Sequence, residues 1–206
     1  MTTSQTLHQM DRFCFASNNS HKLEEIRDIL GMSIEVVSLS EIGCFEELPE
    51  TRPTLEGNSL QKAEFVFQNY KVACFADDTG LEVGALNGEP GVFSARYAGE
   101  HKSSDDNIDL LLKNLNNHLD RTARFRTVVT LVGVESKPLT FEGIVNGTII
   151  AERRGTSGFG YDPIFIPDGY NKTFAEMTLQ EKSTLSHRSM AIRKLEAYLK
   201  GHLITR

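Results

Sequence analysis

Cysteine, surplus positive charge and long apolar runs are all scarce in this 206-residue chain. Its 3 cysteines, Cys14, Cys44 and Cys74, are odd in number and widely spaced, which fits neither a disulfide framework nor a metal cluster. Cys14 and Cys74 lie inside apolar runs and read as small buried hydrophobes, so a reducing cytosol is the simplest compartment. Lys and Arg total 22 against 28 Asp and Glu, a net charge of -6. That argues against a non-specific nucleic-acid binder, which usually carries a basic surface, but not against a protein that holds a single nucleotide. No run approaches the roughly 20 apolar residues that span a bilayer. Residues 1–11 carry neither an apolar core nor a basic leader, so no signal peptide is expected and they read as a flexible leader. What is present is ordinary for a soluble globular protein, at 39% hydrophobic and 24% charged residues. The length suits one sizeable α/β domain, here taken as 12–206, or two small ones.

The patterning alternates between strand and helix. Phe13-Cys14-Phe15-Ala16 reads as a first strand, followed by the polar turn Ser17-Asn18-Asn19-Ser20. Leu23, Ile26 and Leu30 then recur at helical spacing, with Gly31 as the stop. A second strand is expected over Ile34–Leu39, an irregular acidic stretch from Glu41 to Thr54, and a helix marked by Leu60, Ala63, Phe67 and Tyr70. Val72–Ala76 predicts a buried strand, and Leu81–Gly99, rich in glycine, a long functional loop. Ile108, Leu111, Leu112, Leu115 and Leu119 mark an amphipathic helix that starts at Ser104-Asp105-Asp106. Phe125–Val134 and Leu139–Ile150 predict an antiparallel pair, within which Asn146-Gly147 is either a tight turn or a bend in one strand. Residues 155–173 are loop-rich, and Ala191, Leu195, Tyr198 and Leu199 define a last helix.

The most informative stretch is Phe75-Ala-Asp-Asp-Thr-Gly-Leu81, where an apolar run ends abruptly in two acids. Ligands in open α/β sheets bind at strand ends, so a strand that delivers acids to the rim of a sheet is expected. Adjacent side chains on a strand point to opposite faces. One of Asp77 and Asp78 should therefore serve a metal or a water, and the other a structural contact. Ser17-Asn18-Asn19-Ser20-His21-Lys22, between a strand and a helix, is either an anion site or a plain helix cap. Gly158-Phe159-Gly160-Tyr161-Asp162-Pro163 either stacks a flat ligand or folds its aromatics into the core. Ser186 is placed to cap the last helix. His187 and Arg188 then fall in its first turn, where cations are unfavourable, so they either have a purpose or point to solvent.

Together these segments resemble the inosine triphosphate pyrophosphatases, also called deaminated-purine or XTP/dITP diphosphatases, from about Phe13 to Leu199 and in the family's order. The resemblance implies an α/β fold with a mixed central sheet flanked by helices, and two lobes with an active-site cleft between them. It implies Mg²⁺-dependent hydrolysis of ITP, dITP and XTP to the monophosphate and pyrophosphate, clearing deaminated purines from the nucleotide pool. By carry-over, Asp78 is the general base and a metal ligand, and Glu50 the second Mg²⁺ ligand. Ser17, Asn18, Asn19, Ser20, His21, Lys22 and Thr79 hold the triphosphate and sugar, with Lys62 near the phosphates. Phe159 stacks on the base, with Gly160 and Tyr161 in the same loop, and Asp162, Lys182, His187 and Arg188 read its edge. A cytoplasmic homodimer is implied, acting on a small-molecule substrate with no nucleic-acid or membrane partner. Thr79 stands where many members have Ser, which keeps the hydroxyl. Gly57 stands where many have a Glu before the Asn, so any metal-assisting role of that Glu has no counterpart there. Two other readings are an aspartyl-nucleophile phosphatase and a silent nucleotide-binding protein. The first is disfavoured by the adjacent spacing and mid-chain position of the acids, the second by the presence of both Asp78 and Glu50.

Overall fold

Apolar alternation in the first strand organises one end of the sheet in this computed structural model, which describes residues 12–31 and 34–204. The expected leader at 1–11 lies outside the described residues. In β1 (Arg12–Phe15), Phe13 and Phe15 belong to one apolar cluster, while Cys14 and the following Ala16 belong to another. That is the period of two expected of a strand buried on both faces. β1 pairs in parallel with β2 (Glu35–Val37) on one side and with β3 (Cys74–Val83) on the other. The remaining strands are β4 (Pro90–Gly91), β5 (Thr122–Val132), β6 (Leu139–Ile149) and β7 (Phe165–Pro167). The hydrogen-bonded order is β2-β1-β3-β5-β6-β7, with β4 on β3. β4 with β3 and β7 with β6 are antiparallel, so the sheet is mixed. The connection 133–138 is too short for a crossover, so β5 and β6 form the expected antiparallel pair. Gly147 lies within β6 opposite Pro167, which makes Asn146-Gly147 part of one long strand and not a turn.

Among the described residues, five helices flank the strands: α1 (Ser20–Leu30), α2 (Leu55–Tyr70), α3 (Ser104–Asn114), α4 (Leu179–Leu185) and α5 (His187–Ile204). The chain folds as two compact units. Of the described residues, the first comprises those up to Asp78, Val128–Glu142 and those from Ala191 onward; the second comprises Thr79–Thr127 and Gly143–Met190. In the first unit, Phe13, Phe15 and Phe75 pack with Ile26, Leu195 and Leu199, while Cys14 and Cys74 pack with Ala63 and Val66 of α2. Burial pushes the Cys14 thiol up to about 12, as expected of an inert small hydrophobe. In the second unit, Leu81, Ile108, Leu111, Phe125, Phe165 and Phe174 form a single core.

Local signals set most helix ends. The Asn19 side chain accepts the Lys22 N–H at 3.1 Å at the start of α1, and Gly31 closes it at φ 54°. Thr54 caps α2 by accepting the Gly57 N–H at 3.0 Å. α2 thus begins five residues before Leu60, at the buried Leu55, which the spacing of Leu60, Ala63 and Phe67 does not reveal. α3 ends at Asn114, so Leu119 is not on it; the side chain is fully exposed, and its spacing from Leu115 is coincidental. α4 carries a reciprocal cap between Thr178 and Glu181, a Thr-x-x-Glu signal that the expected elements did not include. Among the described residues, no helix is long and apolar enough to cross a membrane.

Candidate active site

β3 does not stop at its acids. It continues through Asp77-Asp78-Thr79-Gly80 to Val83, because Leu81 and Glu82 pair with Gly91 and Pro90 of β4. The expected rim position is therefore corrected: both acids lie within a long strand. The first part of the expected 81–99 loop is likewise strand. Gly80 is required by packing, since a Cβ there would sit 2.6 Å from the Gly91 carbonyl oxygen. Strand alternation separates the two acids as anticipated. Asp77 is fully buried and takes both carboxylate oxygens to the Lys22 ammonium, at 3.0 and 2.9 Å. Lys22 is thus anchored by Asp77 at the start of α1.

Asp78 belongs to a second group within the same unit. Its Oδ1 lies 3.6 Å from Lys62 Nζ, and Lys62 also forms a short ion pair with Glu50 Oε1. Asp78 Oδ2 accepts from Asn58 Nδ2 at 3.1 Å. Burial pushes the Asp78 carboxyl above its ordinary value, although Lys62 and Lys22 oppose the rise and Glu50 adds to it. For Lys62, burial works to lower the pKa, but Asp78, Glu50 and Asp77 together outweigh it and the net movement is upward. A raised carboxylate beside a firmly charged lysine suits proton abstraction next to an anionic substrate. Glu50, whose side chain is 30% exposed, is the more accessible acid. In the turn before α1, Ser17 Oγ accepts the Asn19 N–H at 3.2 Å and Asn18 donates to the Glu46 carbonyl at 3.3 Å. Ser20 and His21 are exposed in the first turn of α1.

The second unit assembles the remaining expected residues. Asp162 and Lys182 form a buried ion pair at 2.8 Å, and Asp162 Oδ2 also accepts the Phe159 N–H at 2.8 Å. Phe159 is half-buried, with Lys182 Nζ 4.9 Å and the Arg188 guanidinium 5.5 Å from its ring centre. Gly160 is half-buried at φ 60°, a conformation that favours glycine. Tyr161 goes elsewhere: it is buried in the core, and its hydroxyl donates to the Ser94 carbonyl at 3.0 Å. His187 and Arg188 are 3% and 1% exposed, so neither is a solvated cation despite its place at the start of α5. The His187 ring stacks on Phe125 at 4.7 Å, and its Nδ1 lies 2.6 Å from Thr127 Oγ1. Thr127 in turn lies 2.7 Å from Thr79 Oγ1, to which Arg188 donates at 3.4 Å. Ser186 accepts the Ser189 N–H at 3.2 Å, the expected cap.

Sequence reasoning missed Asn58 and Thr127. Asn58 stood out only through its neighbour Gly57, and Thr127 is one hydroxyl in a β-branched strand, where nothing local distinguishes it. Each unit therefore holds a group of its own: Glu50, Lys62 and Asp78 in the first, and Phe159, Lys182, His187 and Arg188 in the second. Comparison with known proteins gives these groups a context. The Ham1 family model matches residues 13–198. The dITP/XTP pyrophosphatase of Flavobacterium johnsoniae is 54% identical over 184 residues, which cover 89% of this chain and 95% of that protein. The protein of the same name from Porphyromonas gingivalis is 53% identical over 192 residues, covering 92% and 98%. Among solved structures, the Staphylococcus aureus Ham1 protein superposes with a TM-score of 0.84 at 41% identity, covering 93% of this chain and 99% of that one. A Coxiella burnetii HAM1 protein gives 0.84 at 36% identity, covering 92% and 98%. The chain belongs to the Ham1 family, and with it to the pyrophosphatase family that its motifs resemble.

Proposed function

We propose that this protein is a nucleoside triphosphate pyrophosphatase that hydrolyses dITP, XTP and ITP to the monophosphate and pyrophosphate, and so removes deaminated purines from the nucleotide pool. The observation that carries the reading is the Glu50–Lys62–Asp78 group, found in a chain 54% identical to a dITP/XTP pyrophosphatase. The donor set fits Mg²⁺. Two neighbouring carboxylates match the one or two that this ion takes from protein, with substrate oxygens and waters completing its shell. When bound, Mg²⁺ would neutralise charge on the phosphate oxygens and leaving pyrophosphate. Asp78 would orient the attacking water and accept its proton as the water oxygen bonds to the α-phosphorus. Lys62 would hold positive charge beside the phosphates, and Lys22 would do so at the N-terminus of α1, where backbone N–H groups favour an anion.

At the base end, Phe159 offers a ring face, and Lys182, Arg188 and an Nε2-protonated His187 offer donors. Donors pair with the keto oxygen at C6 of hypoxanthine and xanthine but face the amino group of adenine. Leaving two such groups unpaired at about 1–3 kcal/mol each gives about 10²–10⁴-fold discrimination. A cytoplasmic homodimer is the corresponding setting; three free, buried cysteines accord with a reducing compartment.

The test is pyrophosphate release from ITP, XTP, GTP and ATP, with and without Mg²⁺, beside Asp78→Asn. Fast Mg²⁺-dependent release from ITP and XTP, lost in the variant, is expected. Inorganic phosphate as the sole product would favour an aspartyl phosphatase, and tight ITP binding without turnover a silent binder; either overturns the proposal.

A further inference from the structure

Asn58 lies in the first unit, 1% exposed, in the opening turns of α2. Its side-chain oxygen accepts the backbone N–H of Arg52 at 2.8 Å. A backbone N–H can only donate, so this contact fixes which end of the amide is oxygen. The NH₂ end therefore faces Asp78 and donates to its Oδ2 at 3.1 Å. The two carboxylate oxygens of Asp78 thus become inequivalent: Oδ2 is tied to α2, and Oδ1 is the oxygen nearer Lys62. The other end of the amide holds the segment that carries Glu50. Two further bonds sew that segment to α2: Thr51 N–H donates to Gln61 Oε1 at 3.0 Å, and Gln61 Nε2 donates to Thr51 Oγ1 at 2.9 Å.

Gly57 explains how the segment comes so close. A Cβ at Gly57 would lie 2.6 Å from Arg52 Cβ and 3.1 Å from Thr54 Oγ1. Gly57 has no positive φ, so the glycine is needed for space and not for its backbone angle. Any side chain here would meet Arg52 and force apart the two segments that its bond to Asn58 holds together.

We infer that Asn58 is a positioning residue whose amide, admitted to its place by Gly57, clamps the Glu50 segment to Asp78 and sets the relative placement of the two carboxylates. This rests on the proposed role of Asp78 in hydrolysis. Removing a hydrogen-bond partner behind a ligand carboxylate typically lowers metal affinity or activity by about 10–100-fold.

Three variants test it, read by kcat and KM on ITP, by Mg²⁺ binding to the metal-free protein in calorimetry, and by melting temperature. Asn58→Asp keeps the acceptor for Arg52 but turns an acceptor toward Asp78. Its kcat should fall about 10–100-fold and its Mg²⁺ affinity should change, with KM for ITP within about 3-fold. Gly57→Ala gains helix propensity but displaces Arg52 from Asn58, so kcat should fall about as far as in Asn58→Asp, by more than its change in melting temperature accounts for. Ser59→Ala is the structural control. Ser59 is buried in α2 and donates to the Ala76 carbonyl, without an Asp78 contact, so its loss should lower the melting temperature and leave kcat unchanged. If Asp78→Asn is inactive while Asn58→Asp and Gly57→Ala match the wild type, the clamp is overturned and the proposed function stands. A kcat loss that simply follows melting temperature across all three variants also overturns the clamp. An active Asp78→Asn would refute the proposed function and the inference with it.

Discussion

Substituting Lys182 by Met puts the energetics of the second unit to a direct test. The Lys182 and Asp162 side chains are 6% and 4% exposed and 2.8 Å apart. Removing one member of a buried pair costs about 3–5 kcal/mol, because the other charge is left without compensation. Methionine nearly matches the lysine stem, so a cavity adds little, and the Phe159 N–H still reaches Asp162 at 2.8 Å. Both points favour the lower end, about 3 kcal/mol. Loss of the ammonium over Phe159, 4.9 Å from the ring centre, removes a further contribution of about 0.5–2 kcal/mol. Together these come to about 3.5–5 kcal/mol, and at about 2–4 °C per kcal/mol for a chain of this size the melting midpoint should fall by roughly 7–20 °C. The assay is urea denaturation of Lys182→Met, Asp162→Asn and the double variant. The double variant buries no charge and keeps an acceptor for Phe159, so it should lose less than the two single losses combined. A single variant within about 0.5 kcal/mol of wild type, the range of surface substitutions, would refute the claim that this pair is desolvated.

Two predictions concern titration and hydrogen bonding. Burial raises Asp78, so between its unfolded and folded pKa values the folded, metal-free protein binds more protons than the unfolded chain. The Asp78 contribution to stability is then fully present below the unfolded value and lost as pH rises through the folded one. Asp78→Asn should remove that loss, which urea melts from pH 4 upward would detect; a folded pKa at or below about 3.9 would contradict it. Thr127→Val removes a fully buried hydroxyl that lies between Thr79 and His187. It should cost about 1–3 kcal/mol of stability and lower kcat/KM for ITP, whereas Thr127→Ser should stay near wild type. Equal behaviour of the Val and Ser variants would show that the hydroxyl does not hold the imidazole.

The short-range chemistry of this chain was legible because each signal and its effect lie within one turn. Asn19 caps the helix that follows it, Gly31 ends that helix, and Ser186 accepts from Ser189. Apolar periodicity placed the core strands, because alternation and burial share one cause. The opposite facing of Asp77 and Asp78 followed from the strand period alone. What failed was any feature that depends on a partner distant in sequence. β3 runs past its acids because β4 pairs with it, and Gly80 is demanded by Gly91, not by a turn. Leu119 keeps helical spacing but has no core beside it. Local charge alone would leave His187 and Arg188 in solvent, yet the second unit buries both, with Phe125 stacked on the imidazole. The sequence by itself determined the family, the order of elements and the residue types available for chemistry. Only the tertiary structure decided that Glu50, Lys62, Asn58 and Asp78 meet, since they come from a loop, a helix and a strand whose approach is set by packing.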